Sequence, residues 1–404
     1  MNIKTCPCGG FIYCPKDKSF PSSLDKHLSQ LTYCDEFDMT QGPKPMTSHS
    51  EASFSLNDNA EFTIDEYNTA KPFSSFFPGV AGQDGIPMWT FYVNRGQCVC
   101  SMGVEDKDHA IMEFYPANLA YQMASKMGFR TFVKFVDGTN RYYEPFQNYL
   151  HDKQVKRTQK MRISQSKLIL EEHNETFGLT FIVEYCNVPN DDYAGLIRRL
   201  HIRNDSSDPV TLDCLDGLPL IVPYGVNNSS LKFTRRLVEA FVEVDNLESG
   251  APMFRGKVEP VDRPEVVRIK AGNFYLGFNE AGDNSLLVKP VVDPVKIFGC
   301  QTDYSYPERF LKTTAEDLLH DQILENRFPC AMGSFQAVLE AGATHTYSSI
   351  IGHVSSVETL NCMLRRIADP AYVERKFVED TDLIGKLLQG GFICSKEPTL
   401  DLYA

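Results

Sequence analysis

The run Glu105-Asp106-Lys107-Asp108-His109 puts three carboxylates, an ammonium and an imidazole side by side. Arg95 stands shortly before it, in Asn94-Arg95-Gly96-Gln97, and Trp89, the only tryptophan, precedes both. A ligand with apolar C–H faces and hydroxyl edges, such as a sugar, is met by an aromatic face beside charged hydrogen-bonding groups. Trp89, Arg95, Asp106 and His109 are therefore the candidate contacts to substrate or to a partner subunit. Two plainer readings stand beside this one. Trp89 lies in an apolar run that suits a core, and 105–109 suits a solvated turn in which nearby carboxylates merely tune an imidazole.

Other constellations are weaker. Cys6-x-Cys8, Cys14 and Cys34 invite a zinc reading, yet no C-x₂-C pair or finger-type histidine accompanies them, and free thiols are expected. Gly79, Gly82 and Gly85 lack the strand–glycine–helix setting of a nucleotide site. The basic run Lys153–Arg162 reads as a solvated loop or strand face. Glu171-Glu172 reads as a charged strand end, Asp191-Asp192 as a charged turn, and Asp216-Gly217-Leu218-Pro219 as a structural turn. No metal site, cofactor or catalytic residue is assigned.

The chain has 404 residues, 42% hydrophobic and 23% charged, with a formal net charge of −13. That length predicts more than one folding unit. The acidic balance argues against nucleic acid. No apolar run approaches the roughly 20 residues of a membrane helix, and MNIKTCPCGG lacks the apolar segment of a secretory signal. A cytoplasmic protein with reduced thiols is the expectation, Cys98 and Cys186 acting as small core hydrophobes.

The elements that hold the candidates are short strands. Met88–Val93, Cys98–Val104 and Ala110–Tyr115 alternate with polar turns and read as hairpins. In Leu196–Arg203, Leu196, Arg198, Leu200 and Ile202 share one face; Ile197, Arg199, His201 and Arg203 share a wet, basic one. Turn chemistry recurs at Asn204-Asp205, Asp216-Gly217, Asn227-Asn228, Ala281–Asn284 and Ala341-Gly342. The fold class is mainly β, a large antiparallel β-sandwich. Thr313 and Glu316 fit a capping box on a short helix, as do Ser355 and Glu358 at the start of a helical tail. Asp369-Pro370 opens a second tail helix, and Gly390-Gly391 stops it. Val357, Leu360, Leu364 and Ile367, then Val373, Phe377, Ile384, Leu387 and Leu388, form apolar stripes.

Gly85-Ile-Pro-Met-Trp89, Tyr92-Val-Asn-Arg-Gly96, Lys107-Asp-His-Ala-Ile111, Glu113-Phe114, Pro116-Ala-Asn118, Ala120-Tyr121 and Gly128-Phe-Arg-Thr-Phe132 carry a resemblance. With Asp216–Leu220, Pro223–Val226 and the tail after His353, they resemble the N-terminal region of inverting glycoside phosphorylases of the cellobiose, chitobiose and oligo-β-glucan type. The resemblance spans about residues 75 to 404. It implies a galactose-mutarotase-like supersandwich and a two-helix linker to an (α/α)₆ barrel. It also implies phosphorolysis of β-glucosides or β-glucan oligosaccharides to α-glucose 1-phosphate, with inorganic phosphate as co-substrate. General acid and phosphate site belong to that barrel, which this chain lacks, so the 404 residues alone are expected to be inactive. The implied assembly is a homodimer whose sandwich lies near the partner's active site, giving the 95–109 turns their role.

The expected organisation is an extension over 1–70, a sandwich over 71–352, a helical linker over 353–391 and the start of a truncated domain over 392–404. A free-standing carbohydrate-binding or scaffold protein is the alternative. An independent hydrolase would need an acid–base carboxylate pair, and none is evident.

Overall fold

The computed structural model describes residues 52–57, 61–139, 141–147, 155–259, 264–281, 284–367, 369 and 371–389. The chain divides into Met1–His49 and Ser50–Ala404. Cys6, Cys8, Cys14, Cys34, Pro370, Gly390-Gly391 and the 392–404 segment lie outside the described residues, as does part of the basic run.

An eleven-stranded antiparallel sheet dominates the larger unit. Its order is Ser53–Leu56, Phe62–Asp65, Arg157–Ile163, Leu168–Asn174, Leu179–Asn187, Ala194–Asn204, Thr344–Val354, Gly272–Ala281, Met253–Gly256 and Val242–Asp245, with Asn284–Leu287 paired to Gly272–Ala281. A five-stranded sheet runs Pro290–Val291, Ala331–Leu339, Val210–Leu218, Arg130–Phe135, Tyr142–Tyr143. A four-stranded sheet comprises Ser74–Phe76, Met88–Val93, Val99–Val104 and Ala110–Met112. The fold is thus mainly β and antiparallel, as the strand pattern predicts, and no barrel of helices occurs among the described residues.

Period-two patterning decides the layers. Phe181, Val183, Tyr185, Leu196, Leu200 and Ile202 of the large sheet share one buried cluster with Leu212, Cys214, Phe335 and Ala337 of the five-stranded sheet. This is the sandwich core. Phe62, Ile64 and Tyr67 belong to it, so the sandwich starts within the stretch assigned by sequence to an extension.

The other face of the large sheet receives the tail. Ile197, Phe274, Leu276 and Ile350 pack against Leu360, Met363 and Ile367 of the helix Val357–Ile367 and against Tyr372, Val373 and Phe377 of the helix Tyr372–Leu388. The stripes are therefore covered by the chain's own sheet, each large apolar side chain contributing roughly 1.5–3 kcal/mol on burial. Leu387 and Leu388 are exceptions and stay exposed. The expected wet face is only partly wet: Arg199 reaches Glu374 of the tail at 3.0 Å and lies over the Phe377 ring at 5.1 Å.

Both helix starts shift by one residue from the expectation. Ser356, not Ser355, accepts the Thr359 N–H, and the capping box of the short helix Ala315–Leu319 is Thr314 with Asp317. Neighbouring hydroxyls offer the same chemistry, and tertiary packing chooses the frame. The helix Tyr372–Leu388 begins after Ala371, whose N–H is accepted by the Asp369 carboxylate.

Three charged expectations are overturned by burial. Asp216 and Gly217 form no turn; they lie inside the strand Val210–Leu218, and Asp216 is the buried counter-ion of buried Arg198 across the two sheets. Glu172 is fully buried, accepting hydrogen bonds from the Tyr143 hydroxyl, the Phe146 N–H and the Gln159 amide. Asp191 is buried among Tyr372, Lys376 and Arg366 and holds the tail to the sandwich. A sequence shows that a residue is charged; it does not show that a cation or donor waits for it in a distant segment.

Candidate carbohydrate site

Met88 pairs with Val104 and Tyr92 with Val99, so the strands Met88–Val93 and Val99–Val104 form one hairpin. Arg95 sits at its tight-turn end; Trp89 and the 105–109 loop sit at the other. The candidates thus do not form one cluster. Arg95 spends its guanidinium on main-chain carbonyls, donating to Asn94 at 2.6 Å, Ala70 at 2.9 Å and Tyr67 at 3.3 Å. Those bonds tie the hairpin turn to the preceding segment. Asn94 reinforces the tie through Tyr67 and Lys71 carbonyls.

Trp89, Asp106 and His109 do come together. The half-buried Trp89 indole N–H donates to the Asp106 carbonyl at 3.2 Å, and its ring meets Phe114 edge-on at 6.1 Å. The Asp106 carboxylate accepts the Asp108 N–H at 2.8 Å and lies 2.9 Å from His109 Nδ1, with Glu105 3.4 Å from the same nitrogen. The Asp108 N–H first, and His109 next, hold the Asp106 carboxyl below the usual carboxylate range. With Nδ1 turned to Asp106, Nε2 is the imidazole nitrogen left for a ligand.

Beyond the loop lies an open cavity of about 640 Å³, lined by Asp108, His109, Tyr224 and Asn227 and by Glu259, Arg268 and Lys270. Tyr224 is its central ring. His109 stacks on it at 5.9 Å between centroids, and His353 lies 4.5 Å from it. Its backbone is fixed to the large sheet: the Tyr224 N–H donates to Phe254, and the Tyr224 carbonyl accepts from Gly256. Behind it, Asn273 donates to the Ala110 and Val222 carbonyls and its amide oxygen sits 3.2 Å from His353 Nδ1. Burial, with His109 nearby, pushes the His353 imidazole down to about 4, so it is neutral at physiological pH. The loop is anchored from the far side as well. Asp108 accepts the Asn228 N–H at 3.0 Å, and Asn227 caps the helix Asn228–Phe233 through Ser230.

Tyr224, Asn227 and His353 were not among the sequence candidates. Tyr224-Gly225 was visible only as part of a resembling segment, Asn227 as a turn residue and His353 as the start of the tail. Their meeting depends on the pairing of Thr344–Val354 with Gly272–Ala281, which local patterning does not encode. Among the described residues, no grouping of three or more His, Cys, Asp or Glu could hold a metal ion. No helix among them is long and apolar enough to cross a membrane.

No protein-family model and no curated protein matches this sequence. Solved structures do. A polysaccharide lyase matches with TM-score 0.38 and 10% identity over 69% of this chain and 34% of its own. A galactose mutarotase-like protein from Clostridium acetobutylicum matches with TM-score 0.33 and 9% identity over 75% and 98%. An α-galactosidase from Geobacillus stearothermophilus matches with TM-score 0.32 and 8% identity over 75% and 41%. The chain thus spans about a third of the lyase. At these scores the matches carry no functional argument, and the fold assignment rests on the strand pairing above.

Proposed function

We propose that this chain is a carbohydrate-associated β-sandwich unit that binds a glycan at the His109–Tyr224 cavity. In this reading it serves a glycoside phosphorylase of the cellobiose and β-glucan type: a helical barrel supplies the general acid and the inorganic phosphate site, and the sandwich supplies contacts to the oligosaccharide. The observation that carries the reading is the stacked pair His109–Tyr224 inside a cavity whose other walls mix the charged and amide groups of Asp108, Asn227, Glu259, Arg268 and Lys270 with apolar Ile269 and Ala271. Sugars present an apolar face to a ring and hydroxyl edges to such groups, and a cavity of this size suits a small ligand. Phosphate is itself the nucleophile in such a reaction, so the sandwich need not supply a catalytic base. A homodimer in which the 105–109 loop approaches the partner's site belongs to the same reading.

Calorimetric titration of the chain with cello-oligosaccharides tests it. Binding to the unaltered chain that is lost in Tyr224→Ala, with the fold retained, is the expected result. Equal binding in both, or none in either, overturns the site assignment.

A further inference from the structure

The stripe that docks the helix Tyr372–Leu388 is interrupted by a charge. Val373, Phe377 and Ile384 are buried against the sandwich, and between them Asp380 is also buried, only 2% exposed. Its carboxylate lies 3.5 Å from the thiol of Cys186, itself fully buried in the strand Leu179–Asn187. The cations around this seam have other partners. Lys376 donates to Pro189 and pairs with Asp191 and Glu379; Arg199 pairs with Glu374 and Glu280; Lys167 sits over the Phe377 ring at 5.0 Å. Glu184 faces the same seam from the sheet, beside Arg199 and His201. Among the described residues, the Asp380 carboxylate has the Cys186 thiol as its hydrogen-bond partner, and Lys167 is the cation that acts on it.

We propose that Asp380 makes the helix Tyr372–Leu388 a proton-gated strap, seated firmly on the sheet when its carboxyl is protonated and loosened when it ionises. Burial raises this carboxyl from 3.8 to about 7, against the smaller opposing effects of Cys186 and Lys167. The docked state therefore holds its proton more tightly than the undocked one. Between about pH 4 and 7 docking weakens as pH rises, by up to about tenfold per unit, and then levels off. Asp191 clasps the start of the helix through Tyr372 and Arg366, so release begins at the Ile384 end.

Hydrogen exchange of the full chain tests the proposal. Amides of 380–388 are compared in the unaltered chain and in Asp380→Asn from pH 5 to 7.5, which cancels the intrinsic pH dependence of exchange. The protection ratio of variant to unaltered chain should climb at least tenfold across that range, while strand amides of 181–183 show no such climb. A ratio independent of pH overturns it. Should Asp380→Asn fail to fold, the carboxyl-carbon NMR titration of Asp380 in the unaltered chain decides. A midpoint near 7 supports the strap and one near 4 overturns it.

Discussion

Trp89 donates its indole N–H to the backbone carbonyl of Asp106 at 3.2 Å. The same aspartate turns its carboxylate to His109, so one residue joins the sole tryptophan to the imidazole that faces the cavity. Asp106→Ala should free the His109 ring. We expect at least several-fold weaker binding of cello-oligosaccharide by calorimetry, with only a small drop in melting temperature, because the Asp106 carboxylate that accepts the Asp108 N–H is exposed. A lower melting temperature with unchanged affinity would make Asp106 a structural residue instead.

Arg95 is expected to behave differently. Its partners are carbonyls of its own hairpin and of 67–70. Arg95→Ala should cost about 1–3 kcal/mol in urea unfolding, since it strands partly buried acceptors, and leave sugar affinity alone. A loss of affinity at full stability would return it to the binding surface.

The tail clasp predicts a larger effect. Asp191 accepts from Tyr372 at 2.6 Å and pairs with Lys376 at 3.0 Å and Arg366 at 2.7 Å. Asp191→Ala leaves buried Lys376 without that carboxylate, a loss of about 3–5 kcal/mol by the usual cost of breaking a buried pair. Deleting 355–404 should likewise lower the melting temperature, because Ile197, Phe274 and Ile350 would face water. A deletion that leaves the sandwich as stable as before would show that the seam contributes nothing.

How much of this was legible in the sequence depends on the range of the interactions. The alternation in 196–203 gave the correct faces, Arg198 inward with Leu200 and Arg199 outward with Ile197, because side-chain parity is local. The hairpin around Trp89 and both tail helices were legible for the same reason. That hairpin already implies that Arg95 and His109 lie at its opposite ends, but local chemistry could not bring Tyr224 and His353 to the loop. It also misjudged Glu172, Asp191 and Asp216, whose charges are offset only by partners from remote strands and helices.

Acid should weaken the fold through His353. Its imidazole is held down at about 4 by burial and by His109. The unfolded chain binds that proton near 6.5, so stability is intact at neutral pH and is lost as pH falls from about 6.5 toward 4. Thermal melts across that window should show a steeper fall in the unaltered chain than in His353→Gln. Parallel curves would mean that His353 does not contribute.

In the proposed reading a glycan sits against the His109–Tyr224 cavity, and Trp89 reports on it without a label because it is the only tryptophan. Fluorescence titration with cello-oligosaccharides is the most direct test. A saturable change in Trp89 emission that disappears in Tyr224→Ala and in His109→Ala is the expected result. Emission that stays constant while the sugar binds elsewhere, or a change that survives both substitutions, would contradict it.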